Sequence, residues 1–147
     1  MAKRILVPLD QTVHAEQVLD LAADLARGGG GTVRLVHVAP VPDNVVSDGR
    51  VVAYADQETA RLESEGLDYL RAVEVRMNGF PVESVVRFGD PTKEILAEAE
   101  TFGADLIVMC TKAASGLHRL VLGSVAEQVL RKAGPAVMLF RASREAA

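Results

Sequence analysis

The amino-acid sequence predicts an α/β protein with an open sheet of five strands, mostly or wholly parallel, covered by helices on both faces. Short runs of apolar, often β-branched residues alternate with amphipathic helical patterns along the chain. Several runs are continuous rather than alternating, which is typical of strands covered on both faces. The chain has 147 residues, so we expect one domain, residues 1–147, with a single sizeable core.

The first part of the chain contains a strand, a helix and a second strand. Residues 5–9 are a short apolar run and predict a buried strand. Residues 14–27 carry apolar side chains at spacings of three and four and predict one amphipathic helix. Four glycines, residues 28–31, end this helix, and residues 32–39 are rich in β-branched residues and predict the second strand.

The middle of the chain combines a loop, a long helix and a third strand. Residues 40–51 contain two prolines and other turn formers and predict a long loop that borders a site or is disordered. Residues 53–78 predict a helix, and residues 82–88 predict the third strand. Asp90 and Pro91 predict the next helix start, with Asp as the N-cap and Pro at the first helical position.

The last part of the chain predicts two further strands around a helix. Residues 104–110 form a continuous apolar run around one Asp and predict a central strand covered on both faces. Ser124 and Glu127 match the capping-box pattern and predict a helix that runs up to a Gly-Pro terminator. Residues 136–140 predict the fifth strand, and the small and polar residues 142–147 are expected to fray.

Composition excludes several classes of protein. The 16 Lys and Arg against 20 Asp and Glu leave a net charge of -4, which argues against broad binding to nucleic acid or anionic membranes. The start has no signal-peptide pattern, and no apolar run is long enough to span a membrane. Cys110 is the only cysteine, so an intrachain disulfide cannot form. We expect a cytoplasmic protein that binds neither nucleic acid nor membrane.

The carboxyl ends of the predicted strands hold the candidate site residues, because ligands of open parallel sheets bind there, where the winding reverses. Asp10 follows the first strand and could contact a ligand, cap the turn or first helix, or do both. Lys112, His118 and Arg119 form a basic loop after the fourth strand, before a helix N-terminus at Ser124 that favours an anion such as phosphate. The alternative is a solvated basic loop before an ordinary capped helix.

Other kinds of site find little support. Glycines 28–31 end a helix, whereas a phosphate-binding loop opens one. His14, His37 and His118 lie on different elements without metal-ligand spacing. We expect His37 to be a hydrogen-bonded, partly buried residue of its strand, and Cys110 to be a small buried thiol. No Ser/His/Asp set or G-x-S-x-G motif is found.

Five stretches carry a family resemblance. They are RILVPLD at 4–10, HV at 37–38, GDP at 89–91 with the following EI at 94–95, SGL at 115–117 and LGSVAE at 122–127. Through them the chain resembles the universal stress protein family along nearly its whole length. The resemblance implies an adenine nucleotide alpha hydrolase-like fold with strand order 3-2-1-4-5. It also implies a switch point between the first and fourth strands, the edge that holds Asp10 and the basic loop.

Many members of that family bind ATP or AMP through G-x-x-G, nine residues and then G-S or G-T. In this chain Cys110 and Ala113 stand at the two leading glycines, whereas Gly123 and Ser124 are retained. Glycine in such loops permits positive φ and close approach of the backbone to phosphate. Where φ is positive, replacing glycine costs about 1–2 kcal/mol per residue.

The resemblance also implies roles for individual residues. Asp10 and the backbone of Val38 would lie near the adenosine, with Gly123, Ser124 and Val125 near the phosphates. Lys112 and Arg119 are added to these residues because of their positive charge. The full candidate set for nucleotide binding is Pro8, Leu9, Asp10, Val38, Met109, Cys110, Lys112, Ala113, Gly116, Arg119, Gly123, Ser124 and Val125. The expected ligand is ATP or AMP with magnesium, and the alternative is no cofactor.

Three functions are compatible with these residues. The first is a dimeric nucleotide sensor of the stress response, in which adenine nucleotide orders residues 40–51. The second is a scaffold for protein interactions that has lost nucleotide binding, which Cys110 and Ala113 favour. The third, slow ATP hydrolysis with Asp10 or a metal positioning water, ranks last because no second acidic metal ligand is evident.

The fifth predicted strand indicates a dimer. Members of the family commonly dimerise, and the segment Val137, Met138, Leu139 and Phe140 is apolar and has no Lys or Pro to guard a sheet edge. We therefore expect an isologous dimer around this strand. The alternative is that the tail after Arg141 covers the strand.

Overall fold

The computed structural model describes residues 3–113, 120–121 and 123–141, so the predicted frayed tail lies outside the described residues. Its strands are β1 (Arg4–Pro8), β2 (Thr32–Ala39), β3 (Val45–Ser47), β4 (Arg50–Ala53), β5 (Val82–Phe88), β6 (Leu106–Ala113), β7 (Leu120–Val121) and β8 (Ala136–Arg141). Its helices are α1 (Val13–Glu16), α2 (Leu19–Gly29), α3 (Ala55–Val75), α4 (Pro91–Phe102) and α5 (Ser124–Lys132).

A parallel sheet with the strand order β5-β2-β1-β6-β8 organises the fold. The predicted α/β class and the order 3-2-1-4-5 are therefore confirmed. Helices α2 and α3 pack on one face of the sheet, and α4 and α5 pack on the other. The winding reverses between β1 and β6, which leaves a crevice at their carboxyl ends.

Strand β1 lies at the centre of the sheet and is buried on both sides. Ile5, Leu6 and Val7 have no solvent exposure. Ile5 and Val7 belong to the hydrophobic cluster under α2 and α3, and Leu6 belongs to the cluster under α4 and α5. This alternation follows from the two-residue period of a strand and confirms the prediction of a buried strand.

The predicted helix over residues 14–27 is wrong in one respect, because two helices, α1 and α2, occupy the region. Val18, between them, has nearly helical angles (φ -76°, ψ -12°), and its carbonyl accepts the N–H of Ala22 at 2.9 Å. The apolar period therefore continues across the interruption. Gly30 ends α2 in the left-handed conformation, with φ 65°, as the glycine run predicts.

The predicted long loop over residues 40–51 is also wrong, because it contains the antiparallel hairpin of β3 and β4. Asp48 and Gly49 connect the two strands, with φ of 52° and 74°. Positive φ at both central residues is the requirement of a type I′ turn, which Asp-Gly favours. Val46 and Val51 are cross-strand partners in this hairpin.

The predicted helix starts at Pro91 and Ser124 are confirmed, but only the first of these helices has the predicted cap. Asp90 caps α4, where its side chain accepts the N–H of Lys93 at 3.0 Å, as predicted. The predicted capping box of α5 is wrong, because Gly123 is the N-cap and Ser124 is already the first helical residue. Glu127 cannot reach back to a serine cap and instead pairs with Arg131 at 2.8 Å.

Strand β6 extends beyond the predicted residues 104–110, and its last two residues pair with a short antiparallel strand, β7. Lys112 and Ala113 pair with Val121 and Leu120 of β7. Strand β7 was not predicted, because a two-residue strand has no periodicity to detect.

A network of ion pairs fastens α4 to the neighbouring strands. Glu98 of α4 is 3% exposed and accepts from Arg34 Nη1 of β2 at 2.6 Å and from Arg87 Nε of β5 at 2.7 Å. Arg34 also pairs with Glu83 at 2.8 Å, and Arg87 with Glu94 at 2.9 Å. One buried carboxylate therefore joins one helix to two strands.

Candidate functional site

A cavity of about 310 Å³ lies at the carboxyl ends of β1, β2 and β6, beside the first turns of α4 and α5. Its volume is at the lower end of the range of small-molecule sites. The residues that line it are Pro8, Leu9, Asp10, Ala15, Val36, Val38, Pro91, Ile95, Met109, Cys110, Gly123, Ser124, Val125 and Ala126.

One part of the cavity is apolar. Val36, Ile95 and Met109 are buried, and Val38 packs against the same cluster. These side chains come from β2, α4 and β6, so the wall is built by three elements of the sheet and the α4–α5 layer. Such a wall suits a flat apolar group such as an aromatic base.

The N-terminus of α5 forms a polar part of the cavity. The first intrahelical hydrogen bond runs from the N–H of Glu127 to the carbonyl of Gly123, at 3.0 Å. The N–H groups of Ser124, Val125 and Ala126 therefore have no acceptor within the helix. These three residues line the cavity, and their amides with the helix dipole favour an anion such as phosphate.

Asp10 supplies the carboxylate of the cavity and also stabilises the turn after β1. Its Oδ1 accepts from the N–H of Thr12 at 3.0 Å and from the Thr12 hydroxyl at 2.6 Å. The Thr12 hydroxyl oxygen accepts the N–H of Ala15, at 3.1 Å. Within the described part of the chain, Asp10 Oδ2 accepts no hydrogen bond and is available to a ligand hydroxyl.

Most of the residues proposed for the site from sequence meet in this cavity. They are Pro8, Leu9, Asp10, Val38, Met109, Cys110, Gly123, Ser124 and Val125. Lys112 and Ala113 form the last two residues of β6. Gly116 and Arg119, like His118, lie outside the described residues.

Five lining residues escaped sequence analysis. They are Ala15, Val36, Pro91, Ile95 and Ala126. Val36 could have been found, because it lies two residues before Val38 and so faces the same side of β2. The helix residues have no local signal for a site, because only packing places their side chains beside these strands.

The replacement of motif glycines by Cys110 and Ala113 causes no left-handed strain in this structure. Both residues belong to strand β6. Outside glycine, the described residues with positive φ are Gln11 and Asp48. The energetic cost of replacing glycine at a positive φ therefore does not arise at Cys110 and Ala113.

Comparison with known proteins identifies the group to which the chain belongs. A model described as the universal stress protein family matches residues 1–141. The chain is a member of the universal stress protein family. A curated relative, the universal stress protein in the QAH/OAS sulfhydrylase 3′ region of Thermus aquaticus, is 31% identical over 143 residues, which are 96% of this chain and all of that protein.

Solved structures of the same fold include relatives from two archaea. The structure of the MJ0577 protein of Methanocaldococcus jannaschii matches with a TM-score of 0.79 and 25% identity, over 97% of this chain and 98% of that one. The universal stress protein of Archaeoglobus fulgidus in complex with dAMP matches with a TM-score of 0.59 and 24% identity, over 93% and 96% of the two chains.

The thiol of Cys110 is a neutral part of the cavity in this universal stress protein. Burial raises the pKa of the Cys110 thiol, and the negative charge of Asp10 raises that pKa further. The thiol therefore stays protonated at neutral pH. A protonated thiol is a poor nucleophile, so Cys110 contributes shape and packing to the cavity.

The described residues of this universal stress protein hold no cluster of three or more His, Cys, Asp or Glu side chains suited to a metal ion. Asp10 is the only acidic residue among the described lining of the cavity. None of the described helices combines the length and apolar character that a membrane span requires.

Proposed function

We propose that this universal stress protein binds an adenine nucleotide, ATP or AMP, in the cavity and acts as a nucleotide-responsive module of the stress response. The observation that carries the proposal is the meeting of an apolar wall, a carboxylate and the N-terminus of α5 in one cavity. A base, a ribose and a phosphate need these three surfaces. The complex of the Archaeoglobus fulgidus relative with dAMP supports the choice of adenine.

The base would lie against Val38, Ile95 and Met109. The N–H of Leu9 donates to the carbonyl of Val36 at 2.8 Å, at the point where β1 ends. Val38, two residues further along β2, directs its main-chain groups to the same side, where β1 no longer continues. These groups can pair with the donor and acceptor edge of adenine. The backbone of Val38 would thus select the base.

The ribose and the phosphates would occupy the polar side of the cavity. Asp10 Oδ2 can accept from a ribose hydroxyl, and the amides of Ser124 and Val125 can donate to phosphate. A magnesium ion bound with ATP would be held mainly by the phosphates, because Asp10 is the only carboxylate in the described lining. The proposal assigns binding to this cavity and no catalytic step.

Calorimetric titration with ATP and AMP, with and without magnesium, tests the proposal after acid extraction has shown that no nucleotide co-purifies. We expect micromolar affinity that falls at least tenfold in Asp10→Asn, because the amide cannot replace the charge that attracts the hydroxyl. At alkaline pH, where the thiolate forms, nucleotide should also slow alkylation of Cys110, the only thiol of the chain, which lines the same cavity. No heat and an unchanged alkylation rate would refute the proposal.

We also propose that the protein forms an isologous dimer around β8, through Val137, Met138, Leu139 and Phe140. Strand β8 pairs with β6 on one side, and no other strand of the described residues pairs with it. Unpaired backbone groups on an apolar strand favour addition of a second copy. Light scattering at micromolar concentration should give twice the chain mass of 15.7 kDa. The mass of a single chain would contradict the dimer.

A second candidate function, contact with a protein partner, is favoured by the hairpin region. Val41, Val46, Val51 and Tyr54 are between 42% and 67% exposed and all lie within residues 41–54. Apolar side chains grouped on a surface are typical of interaction sites. This function is compatible with nucleotide binding, because β2, whose residues line the cavity, leads directly into the hairpin.

A further inference from the structure

The turn that carries Asp10 is strained. Gln11, the next residue, has a φ of 68°, a left-handed conformation that residues with a side chain rarely adopt. Such a conformation persists only where the surrounding contacts hold it. The position of the Asp10 carboxylate therefore depends on the groups that fix this turn.

His37 of β2 contacts the residues on both sides of Asp10. Its Nδ1 lies 2.9 Å from the carbonyl oxygen of Leu9, and its Nε2 lies 3.3 Å from Nε2 of Gln11. Because a carbonyl oxygen can only accept, Nδ1 carries the proton and donates to Leu9. In the neutral ring, Nε2 then accepts from the Gln11 amide. One imidazole thus holds the peptide before Asp10 and the side chain after it.

Helix α3 fixes the ring of His37. The ring of Tyr69 meets it edge-on, with centroids 6.4 Å apart and planes at 68°. Gly66 allows α3 to come close, since a Cβ there would lie 3.3 Å from Cδ2 of His37 and 2.9 Å from Val86. The Tyr69 hydroxyl donates to Glu16 of α1 at 2.8 Å, and Glu16 pairs with Arg76 at 2.5 Å. Burial, followed by the Glu16 contact, raises the pKa of Tyr69, so this donor keeps its proton.

We infer that His37 is a positioning residue of the nucleotide site, whose Nδ1–H holds the Leu9 carbonyl so that Asp10 faces the cavity; this rests on the nucleotide binding proposed above. The Asp10–Thr12 hydrogen bonds act within the turn and do not involve the Leu9 carbonyl. The hydrogen bond from Leu9 N–H to Val36 fixes one side of that residue, and the bond to His37 fixes its carbonyl side. His37 itself need not touch the nucleotide.

The variants His37→Asn and His37→Gln form a matched pair that tests this role. Both remove the ring and keep an amide donor. The Asn amide lies near the former position of Nδ1, and the Gln amide lies near that of Nε2. Losses from ring packing are common to both variants, so their difference reports the donor at the Nδ1 position. Nucleotide affinity is measured by calorimetry and folding by thermal unfolding, in the wild type and both variants.

We expect His37→Asn to bind nucleotide close to wild-type affinity and His37→Gln to bind about fivefold more weakly than His37→Asn, the factor that one hydrogen bond typically provides. Equal affinity of the two variants at comparable stability would overturn the positioning role, whether both bind well or both bind poorly. Binding that fails already in the wild type would overturn the proposed function itself and the role of His37 with it. Measuring the wild type first separates these two failures.

Discussion

Replacing Glu98 with glutamine is expected to lower the free energy of unfolding by about 3–5 kcal/mol. The Glu98 carboxylate is buried and accepts hydrogen bonds from Arg34 and Arg87. Glutamine has nearly the same volume, but its amide nitrogen would face one guanidinium group and its charge would be lost. Two partly buried arginines would then lack their shared counter-charge, and α4 would lose its ion pair to β2 and keep only the Arg87–Glu94 ion pair to β5.

Glu83→Gln provides the control for this prediction. Glu83 also pairs with Arg34, but its side chain is 46% exposed, against 4% for Glu98. An exposed ion pair contributes about 1 kcal/mol or less. Urea denaturation of both variants measures the difference. A loss of less than about 1 kcal/mol for Glu98→Gln would contradict the prediction and show that the ion pairs of Glu98 contribute no more than an exposed pair.

Replacing Gly123 with valine is expected to weaken nucleotide binding at least tenfold while leaving the protein folded. Gly123 lines the cavity and has ordinary extended angles, φ -62° and ψ 151°. Apart from its chain neighbours, no atom of the described residues lies within 4 Å of a Cβ built on it. The fold therefore tolerates a side chain there, and the added methyl groups would occupy space that the phosphates need.

Gly134→Val is the matched control, because a Cβ there also meets no described atom within 4 Å and Gly134 is not in the described lining of the cavity. Calorimetry should show wild-type affinity for this variant. Thermal unfolding of Gly123→Val should show at most a small loss, of about 1 kcal/mol, since valine is a poor N-cap. Unchanged nucleotide affinity in Gly123→Val would place the phosphates elsewhere.

The elements that sequence analysis predicted correctly are those whose signals are local. The continuous apolar run of β1 indicates burial on both faces, and Asp90 followed by Pro91 indicates a helix start. In each case adjacent residues determine the structure. The strand order came from a resemblance. Hydrophobic periodicity does not show which strands are neighbours in the sheet, since pairing joins residues as distant in sequence as Ile5 and Leu106.

The errors have physical causes as well. The hairpin of β3 and β4 was overlooked because prolines dominate its approach, although Asp48-Gly49 between valine pairs is a strong hairpin signal. The N-cap of α5 was assigned to Ser124 because the sequence there matches a capping box, whereas in the fold Gly123 is the N-cap and Ser124 is the first helical residue.

The candidate site was predictable where it follows strand ends and unpredictable where it depends on packing. Asp10 follows from the rule that ligands bind at the carboxyl edge of such sheets, whereas Val38 came from the family resemblance. Ile95 lines the cavity because α4 packs over β2, which no local pattern reports. His37 was expected to be hydrogen-bonded, and its contact with Leu9 joins two strands whose register the sequence does not reveal.

The central position of β1 has a consequence for how the molecule assembles. Of these strands β1 is synthesised first, yet its neighbour β6 begins only at Leu106. Strands β1, β2 and β5 can associate early. The other edge of β1 stays unpaired until β6, in the last third of the chain, has been synthesised. Contacts between residues so distant in sequence form slowly. The cavity requires Gly123–Ala126 as well, so it is complete only after α5 has been synthesised. A nascent chain that stops before β6 would expose an aggregation-prone strand edge and would lack a complete cavity.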